Sequence, residues 1–161
     1  MTKSLDSSEP LSAPDAKVLN DIKRIGWHTL GVSPSQGEDG PDWAFSIGLY
    51  HTFGHPEVIV LGLPVKTCME LVNVIGKHVK EGTRYEAGHD YADILTGPFS
   101  CAFKCVQRNH YRDHVGYALW FYETDGFPLL QCFWPDKQFR FPWNEGCNDY
   151  VMTSQRRLYL P

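Results

Sequence analysis

The residue types best suited to chemistry fall in two short segments of the chain. His55 and Glu57 lie in a polar stretch between two apolar runs, and Trp134 and Asp136 follow the last apolar run. An imidazole titrates near neutral pH, carboxylates exchange protons, and an aromatic ring can form the wall of a pocket. If the two segments meet in the fold, they predict a small-molecule site that could be enzymatic. The sequence alone does not decide whether the protein is an enzyme.

His55 and Glu57 are expected to interact with each other. Pro56 holds His55 in extended geometry, and strand side chains repeat every two residues, so both would lie on one face. A hydrogen bond between them would raise the pKa of the histidine and set its tautomer. Such a bond fits a functional pair and equally a structural tie at the start of the strand, so both interpretations stay open.

Two histidine pairs have the four-residue spacing that places two imidazoles on one helix face. The first, His51 and His55, spans a predicted turn, and only the second, His110 and His114, lies on a predicted helix. Neither pair has the adjacent glutamate of the HExxH zinc motif. We therefore predict no metal site, with His110 and His114 as the remaining candidates, and the sequence identifies no cofactor.

Several established catalytic motifs are missing from the sequence. The segment Trp134-Pro-Asp136 is similar to the acid loop of protein tyrosine phosphatases, but no arginine follows any cysteine at the spacing those enzymes need. The motifs G-x-x-x-x-G-K-[ST], G-x-G-x-x-G and G-x-S-x-G do not occur either. Cys101 and Cys105 share a predicted strand face but lie too far apart for a disulfide, and a buried apolar role is favoured.

The elements that must position these residues follow from hydrophobic periodicity. Helices are predicted at 14–25, between Pro64 and Gly82, and between Asn109 and Gly126. Strands are predicted at 27–32, 43–49, 58–63, 99–106 and 128–134, with short ones at 83–86 and 91–95. Successive strands favour antiparallel pairing, and helices between strands allow some parallel pairing. We predict an α+β fold in which three helices pack on a mixed, mainly antiparallel sheet of five to six strands.

Length and charge limit the class of protein. The chain has 161 residues and a net charge of −4, which suits one domain and not the basic surface of a nucleic-acid-binding protein. No apolar run is long enough to span a membrane. We predict a flexible N-terminal tail at 1–13, a single domain at 14–150 and a C-terminal tail at 151–161. The first tail does not resemble a secretory signal, and five cysteines, an odd number, favour free thiols in the cytoplasm.

Three motifs give the chain a resemblance to a known family. They are Ser46-Ile-Gly-Leu49 with Gly54-His-Pro-Glu57, then Val60-Leu-Gly-Leu-Pro64, and finally Gln131-Cys-Phe-Trp-Pro-Asp136 with Phe141-Pro-Trp143. In order and spacing they resemble a bacterial family catalogued only as a domain of unknown function. The resemblance implies a cytosolic α+β domain and no particular activity. It also implies a glycine where this chain has Phe139, at a turn whose positive φ would strain a phenylalanine.

Two functions therefore stay open. The first is a small-molecule pocket built from the His55–Glu57 and Trp134–Asp136 segments. The second is a non-catalytic module that binds or regulates another protein, which the acidic loop residues Glu38, Asp39 and Asp42 would suit.

Overall fold

The structure, a computed structural model, describes residues 2–6 and 10–161. The strands in this part of the chain are β1 (His28–Val32), β2 (Trp43–Ile47), β3 (Glu57–Leu61), β4 (Asp90–Tyr91), β5 (Cys101–Cys105) and β6 (Leu129–Phe133). The α-helices are α1 (Ala13–Ile25), α2 (Leu49–Phe53), α3 (Val65–Lys80), α4 (Tyr111–His114), α5 (Gly116–Tyr122) and α6 (Asp149–Ser154). A 3₁₀ turn, Arg108–His110, precedes α4.

The strands form one mixed sheet in the order β1-β2-β3-β6-β5-β4. Neighbouring strands are antiparallel except β3 and β6, which run parallel, with Glu57 opposite Leu129 and Ile59 opposite Gln131. Parallel neighbours need a long crossover, and here it runs through α3, β4, β5, α4 and α5. The predicted α+β class and the predicted mixed, mainly antiparallel sheet of five to six strands are confirmed, with six strands and six α-helices in the described residues.

Helices cover both faces of the sheet around β3. Val58 and Val60 belong to a buried core on the α3 side, whereas Ile59 and Leu61 pack toward α1 and α5. All five residues of β3 are buried. A strand covered on both sides has no solvated face, and this is the reason that its sequence is an unbroken apolar run after Glu57.

Polar side chains cap the two long helices. The Ser12 hydroxyl accepts a hydrogen bond from the Asp15 amide at 3.2 Å where α1 begins, and Gly26 ends the helix in the left-handed conformation. At the start of α3, the Asp42 carboxylate accepts from the Val65 amide at 2.9 Å. Each cap satisfies a backbone donor that the helix itself leaves unpaired.

The stretch predicted as an irregular connection between the two central strands contains a helix. α2 occupies Leu49–Phe53, and it begins after Gly48 and ends before Gly54, both of which are left-handed. Two glycines enclosing a helix of just over one turn give too short a pattern for the 3.6-residue period to be recognised. The part of the polar stretch before Gly54 is therefore helical, and residues 54–56 connect it to β3.

The other differences concern short elements. The predicted strand at 83–86 is not formed, and the one at 91–95 is reduced to the two residues of β4. The predicted third helix is broken at Val115, whose φ of −131° and ψ of 42° leave helical geometry between α4 and α5. Val115 is completely buried, so packing of its side chain overrides the helical pattern on either side.

The residues predicted as a C-terminal tail are packed on the domain. Leu158 is buried, and its amide donates to the side-chain oxygen of Gln131 at 3.0 Å. The buried Gln155 side chain bonds the backbone of Trp134 in both directions. The polar run that includes Arg156 and Arg157 suggested a solvated tail, but these specific hydrogen bonds hold it. Of the predicted N-terminal tail, Met1 and residues 7–9 lie outside the described residues.

We expect Gly48→Ala to destabilise the protein more than Gly54→Ala, although both glycines are left-handed, with φ of 115° and 68°. A Cβ at Gly48 would lie 2.8 Å from the carbonyl oxygen of Gly26, whereas nothing lies within 4 Å of one at Gly54. The left-handed conformation costs about 1–2 kcal/mol at either position, and overpacking at Gly48 adds about 1–3 kcal/mol. Urea unfolding measures both, and equal midpoints would contradict the close approach at Gly48.

Candidate functional site

Glu57, the first residue of β3, is completely buried and accepts hydrogen bonds at both carboxylate oxygens. The donors are the Ser46 hydroxyl at 2.7 Å, the amides of Gly48, Leu49 and Tyr50 at 2.8, 3.1 and 3.3 Å, and the Tyr122 hydroxyl. Three of them are the free amides at the start of α2. The carboxylate therefore caps this helix and connects it to β2, β3 and α5.

The Glu57 side chain has no surface exposed to solvent. Burial raises the pKa of its carboxyl group, and the hydrogen bonds from Tyr122, Ser46, Gly48 and Tyr50 act in the opposite direction. Burial and the neighbouring carboxylate in turn raise the pKa of Tyr122. A group with no exposed surface and with all its lone pairs engaged is suited to holding backbone in place.

His55 is also fully buried, and its ring nitrogens bond the backbone instead of Glu57. Nδ1 lies 2.8 Å from the carbonyl oxygen of Pro56, and Nε2 accepts from the amide of Tyr85 at 3.0 Å. These two bonds specify the neutral tautomer with the proton on Nδ1. Desolvation lowers the pKa of His55, although the Pro56 carbonyl acts against it. The predicted hydrogen bond to Glu57 and the predicted rise in the histidine pKa are therefore wrong.

The two predicted segments lie at opposite ends of the sheet. Glu57 is opposite Leu129 where β3 and β6 begin, whereas Trp134 follows the last residue of β6. Five residues of strand separate these positions, about 17 Å at about 3.3 Å per residue. The parallel pairing of β3 with β6 therefore keeps His55 and Glu57 apart from Trp134 and Asp136, and the predicted single pocket is not formed. This pairing could not be deduced from the sequence.

Asp136 organises the turn that follows β6. Its Oδ1 accepts from the amides of Gln138 and Arg140, and its Oδ2 accepts from the amide of Asn148, each at 2.9 Å. Desolvation opposes ionisation, but these backbone donors outweigh it and hold the pKa of Asp136 below its usual value. The carboxylate is hydrogen-bonded within the loop, so its role is to stabilise the loop at this end of the sheet.

Trp134 lies between two cavities at the same end. Its indole N–H donates to the carbonyl oxygen of Leu61 at 2.8 Å, which ties the end of β6 to the end of β3. One cavity of about 470 Å³ and another of about 310 Å³ share the segment Trp134–Lys137 as a common wall. The first is also lined by Asn148 and Tyr150, and the second by Leu63, Leu95, Thr96 and Phe99.

A third cavity adjoins these two. It measures about 530 Å³ and shares Tyr150 with one neighbour and Leu63 with the other. We call the three together the carboxyl-end cleft, because they lie where β3 and β6 end. Of the four ligand-binding residues predicted from the sequence, Trp134 and Asp136 line this cleft, whereas His55 and Glu57 line none of its three cavities.

Phe139, which lines none of the three cavities, has an unusual conformation. Its φ is 66°, the left-handed region where the family resemblance implies a glycine, and 56% of its side chain is exposed. Its ring packs on Phe99, with the ring centroids 5.2 Å apart. This conformation costs about 1–2 kcal/mol for a residue with a Cβ, so the chain keeps an exposed aromatic ring here against a local penalty.

No sequence motif marks the apolar lining of the cleft or Lys137. The lining residues come from segments far apart in the chain: the connections before β2, after β3, before β5 and after β6, and helix α6 with Asn148 before it. Ligands of open sheets bind outside the carboxyl ends of parallel strands. That rule would have identified the cleft only if the pairing of β3 with β6 had been known.

His110 and His114, the remaining metal candidates, bond backbone carbonyls. His110 Nε2 lies 2.7 Å from the Leu160 oxygen, and His114 Nδ1 lies 3.0 Å from the His110 oxygen. His114 is buried, which lowers its pKa, and its Nε2 has no hydrogen-bond partner in the described structure. The residues described include no group of three or more histidine, cysteine, aspartate or glutamate side chains placed to hold a metal ion.

Comparison with known proteins identifies a family but no activity. A family model described as a domain of unknown function, DUF4262, matches residues 21–148. No curated protein and no solved structure matches the chain. Within the described residues, no helix is long and apolar enough to cross a membrane.

We expect Glu57→Gln to lower the free energy of unfolding by about 3 kcal/mol. The glutamine NH₂ would face backbone donors where a carboxylate oxygen now accepts, and each buried unpaired donor costs about 1–3 kcal/mol. Glu70→Gln, on an exposed position of α3, makes the same chemical change as a control and should leave the urea midpoint unchanged. Similar midpoints for the two variants would contradict the anchoring role of Glu57.

Asp136 should make the protein less stable in acid. Its pKa is lower in the folded than in the unfolded chain, so its stabilising contribution is present above about pH 4 and is lost as the pH falls through the folded-state value. Asp136→Asn should therefore be less stable than the wild type at pH 7, with a smaller difference at pH 3. Urea unfolding at both pH values tests this, and a difference independent of pH would contradict it.

Proposed function

We propose that the chain, which belongs to this family of domains of unknown function, binds a small molecule in the carboxyl-end cleft. The observation that carries the proposal is the position of the cleft, outside the ends of the parallel pair β3 and β6. Beyond these ends, the connection from β3 to α3 contributes Leu63 to the cleft, and the segment after β6 contributes Trp134 and Asp136. In open sheets with parallel strands, ligands bind in the crevice outside the carboxyl ends of those strands.

The lining of the cleft supports the same conclusion. Leu63, Leu95 and Phe99 provide apolar surface on the wall opposite the Trp134–Lys137 segment. Ligand pockets are lined mainly by apolar and aromatic side chains, with a few polar groups that fix the orientation of the ligand. The cavity volumes of about 310 to 530 Å³ lie in the range of small-molecule sites.

In this proposal, Trp134 contacts the ligand directly and Asp136 acts by holding the loop. Trp134 presents an apolar ring because its N–H is already bonded to Leu61. The buried Asp136 carboxylate accepts hydrogen bonds from three backbone amides of this loop. His55 and Glu57 stabilise the far end of the sheet. The proposal is for binding, and no residue is assigned a catalytic role.

The alternative, a module that binds another protein, depended on the acidic loop before β2. Asp42 now has a structural role as the cap of α3. Glu38 and Asp39 are exposed, but two exposed carboxylates are common on protein surfaces and favour no partner.

A cytoplasmic location also belongs to the proposal. All five cysteines are free thiols, and four of them are buried. Burial raises the pKa of Cys68 to about 11, although a backbone hydrogen bond opposes this. Unreactive buried thiols in an odd number suit a reducing compartment.

Thr96→Trp tests the cleft as a binding site. Thr96 is exposed at the edge of the 310 Å³ cavity, so an indole there should fill the cavity with a stability change within about 0.5 kcal/mol. A fragment library, screened by ligand-observed NMR, should give binders of the wild type that lose their signal with Thr96→Trp.

The control places the same side chain at the other end of the sheet. Thr124 is also exposed and follows α5, away from the cleft. Thr124→Trp should retain the binders found with the wild type. A screen without binders, or binders that Thr96→Trp does not affect, would refute the proposed function.

A further inference from the structure

We infer that the ligand of the carboxyl-end cleft is a planar aromatic anion. This inference rests on the proposed function and goes further, because it specifies the chemical class of the ligand. Three features carry it: the aromatic wall of the cleft, the charge of Lys137 and the conformation of Phe139.

The wall of the cleft presents flat apolar surfaces. Trp134 has its only polar atom bonded to the Leu61 carbonyl, so the part of its ring that faces the cleft offers no hydrogen bond. Phe99 and Leu95 line the same cavity. Aromatic rings favour stacked or edge-to-face contact with other rings, and a planar ligand can follow this wall with little loss of conformational freedom.

Lys137 is the charged residue of the 310 and 470 Å³ cavities that has no ion-pair partner in the described structure. Asp136 and Lys137 both line the 310 and 470 Å³ cavities, but the Asp136 carboxylate is engaged by three backbone amides. In the described part of the chain, no carboxylate lies within 4.0 Å of the Lys137 amine. An acid group on the ligand would therefore pair with Lys137 without displacing an existing ion pair.

Phe139 contacts the aromatic wall of the cleft through Phe99. It is left-handed and mostly exposed, yet its ring lies against Phe99, a residue that lines the cleft. Strained residues persist where the surrounding structure or the function requires them. Burial does not account for a side chain that is 56% exposed. Phe139 is a positioning residue, which acts on the ligand through the orientation of the Phe99 ring.

The test compares three probes that differ in one property each. They are 1-naphthoate, the cationic 1-naphthylmethylamine with the same ring system, and the saturated anion decahydro-1-naphthoate. Isothermal titration of the full-length wild type should show 1-naphthoate binding at least about fivefold more tightly than the cation. It should also bind about fivefold more tightly than the saturated anion.

Substitutions separate the charge from the ring. Lys137→Gln should weaken 1-naphthoate about fivefold and leave the cation unchanged, because it removes an exposed ion pair. Lys80→Gln, at the exposed C-terminal end of α3, is the matched control and should change neither affinity. Phe139→Gly should make the affinities for 1-naphthoate and the saturated anion equal, whereas Phe139→Tyr, which keeps an aromatic ring, should retain the tighter binding of 1-naphthoate. Urea unfolding of both Phe139 variants excludes loss of the fold as the cause.

The outcomes distinguish this inference from the proposed function. It is overturned if the cation binds as tightly as 1-naphthoate, if Phe139→Gly keeps the aromatic preference, or if none of the probes binds at millimolar concentration. In each case, fragments that Thr96→Trp displaces would still support a small-molecule site of other chemistry. If Thr96→Trp displaces nothing, the proposed function fails as well.

Discussion

The buried carboxylate of Glu57 is the interaction on which this end of the fold depends. It accepts hydrogen bonds from a side chain of β2, from the first amides of α2 and from Tyr122 of α5. Because Glu57 accepts hydrogen bonds from the first amides of α2, the chain can pass from β2 to β3 through a helix of only five residues. Without this acceptor, those amides would be unpaired. The Gly54-His-Pro-Glu57 motif therefore has a structural explanation, because the His55 ring also stabilises the fold through its hydrogen bonds to backbone atoms.

Hydrophobic pattern predicted most of the architecture. The apolar run of β3 and the helical periodicity of α1 and α3 are local signals, and each corresponds to an element of the structure. Local pattern failed where a long-range contact decides the conformation. α2 exists because Glu57 binds its amides, and the helix before α5 breaks because Val115 is buried. The C-terminal residues are ordered because Gln131 bonds Arg156 and Leu158 and because Gln155 bonds Trp134.

Only two of the four candidate ligand-binding residues line the proposed cleft, for the same reason. Trp134 and Asp136 were recognised by residue type, and both line the cleft, whereas His55 and Glu57 have similar chemical types but serve the backbone. Residue type does not reveal whether a polar side chain is already engaged. Pairing of β3 with β6 decides which connections share an edge of the sheet, and it joins segments far apart in sequence. Phe139 is different, because the family resemblance had already implied a left-handed residue at its position.

The parallel pairing of β3 with β6 also has a consequence for folding kinetics. Within the described chain, the sheet consists of two antiparallel halves, β1-β2-β3 and β4-β5-β6, that meet along this one pair. Each half is made from contacts closer in sequence, but the seam between them requires closure of a long loop, which is slow. The cleft lies at the end of the seam, so it exists only once the halves have docked. A bound molecule would then stabilise the docked state by mass action and slow the separation of the halves. Ligand affinity and the rate of unfolding would therefore change together.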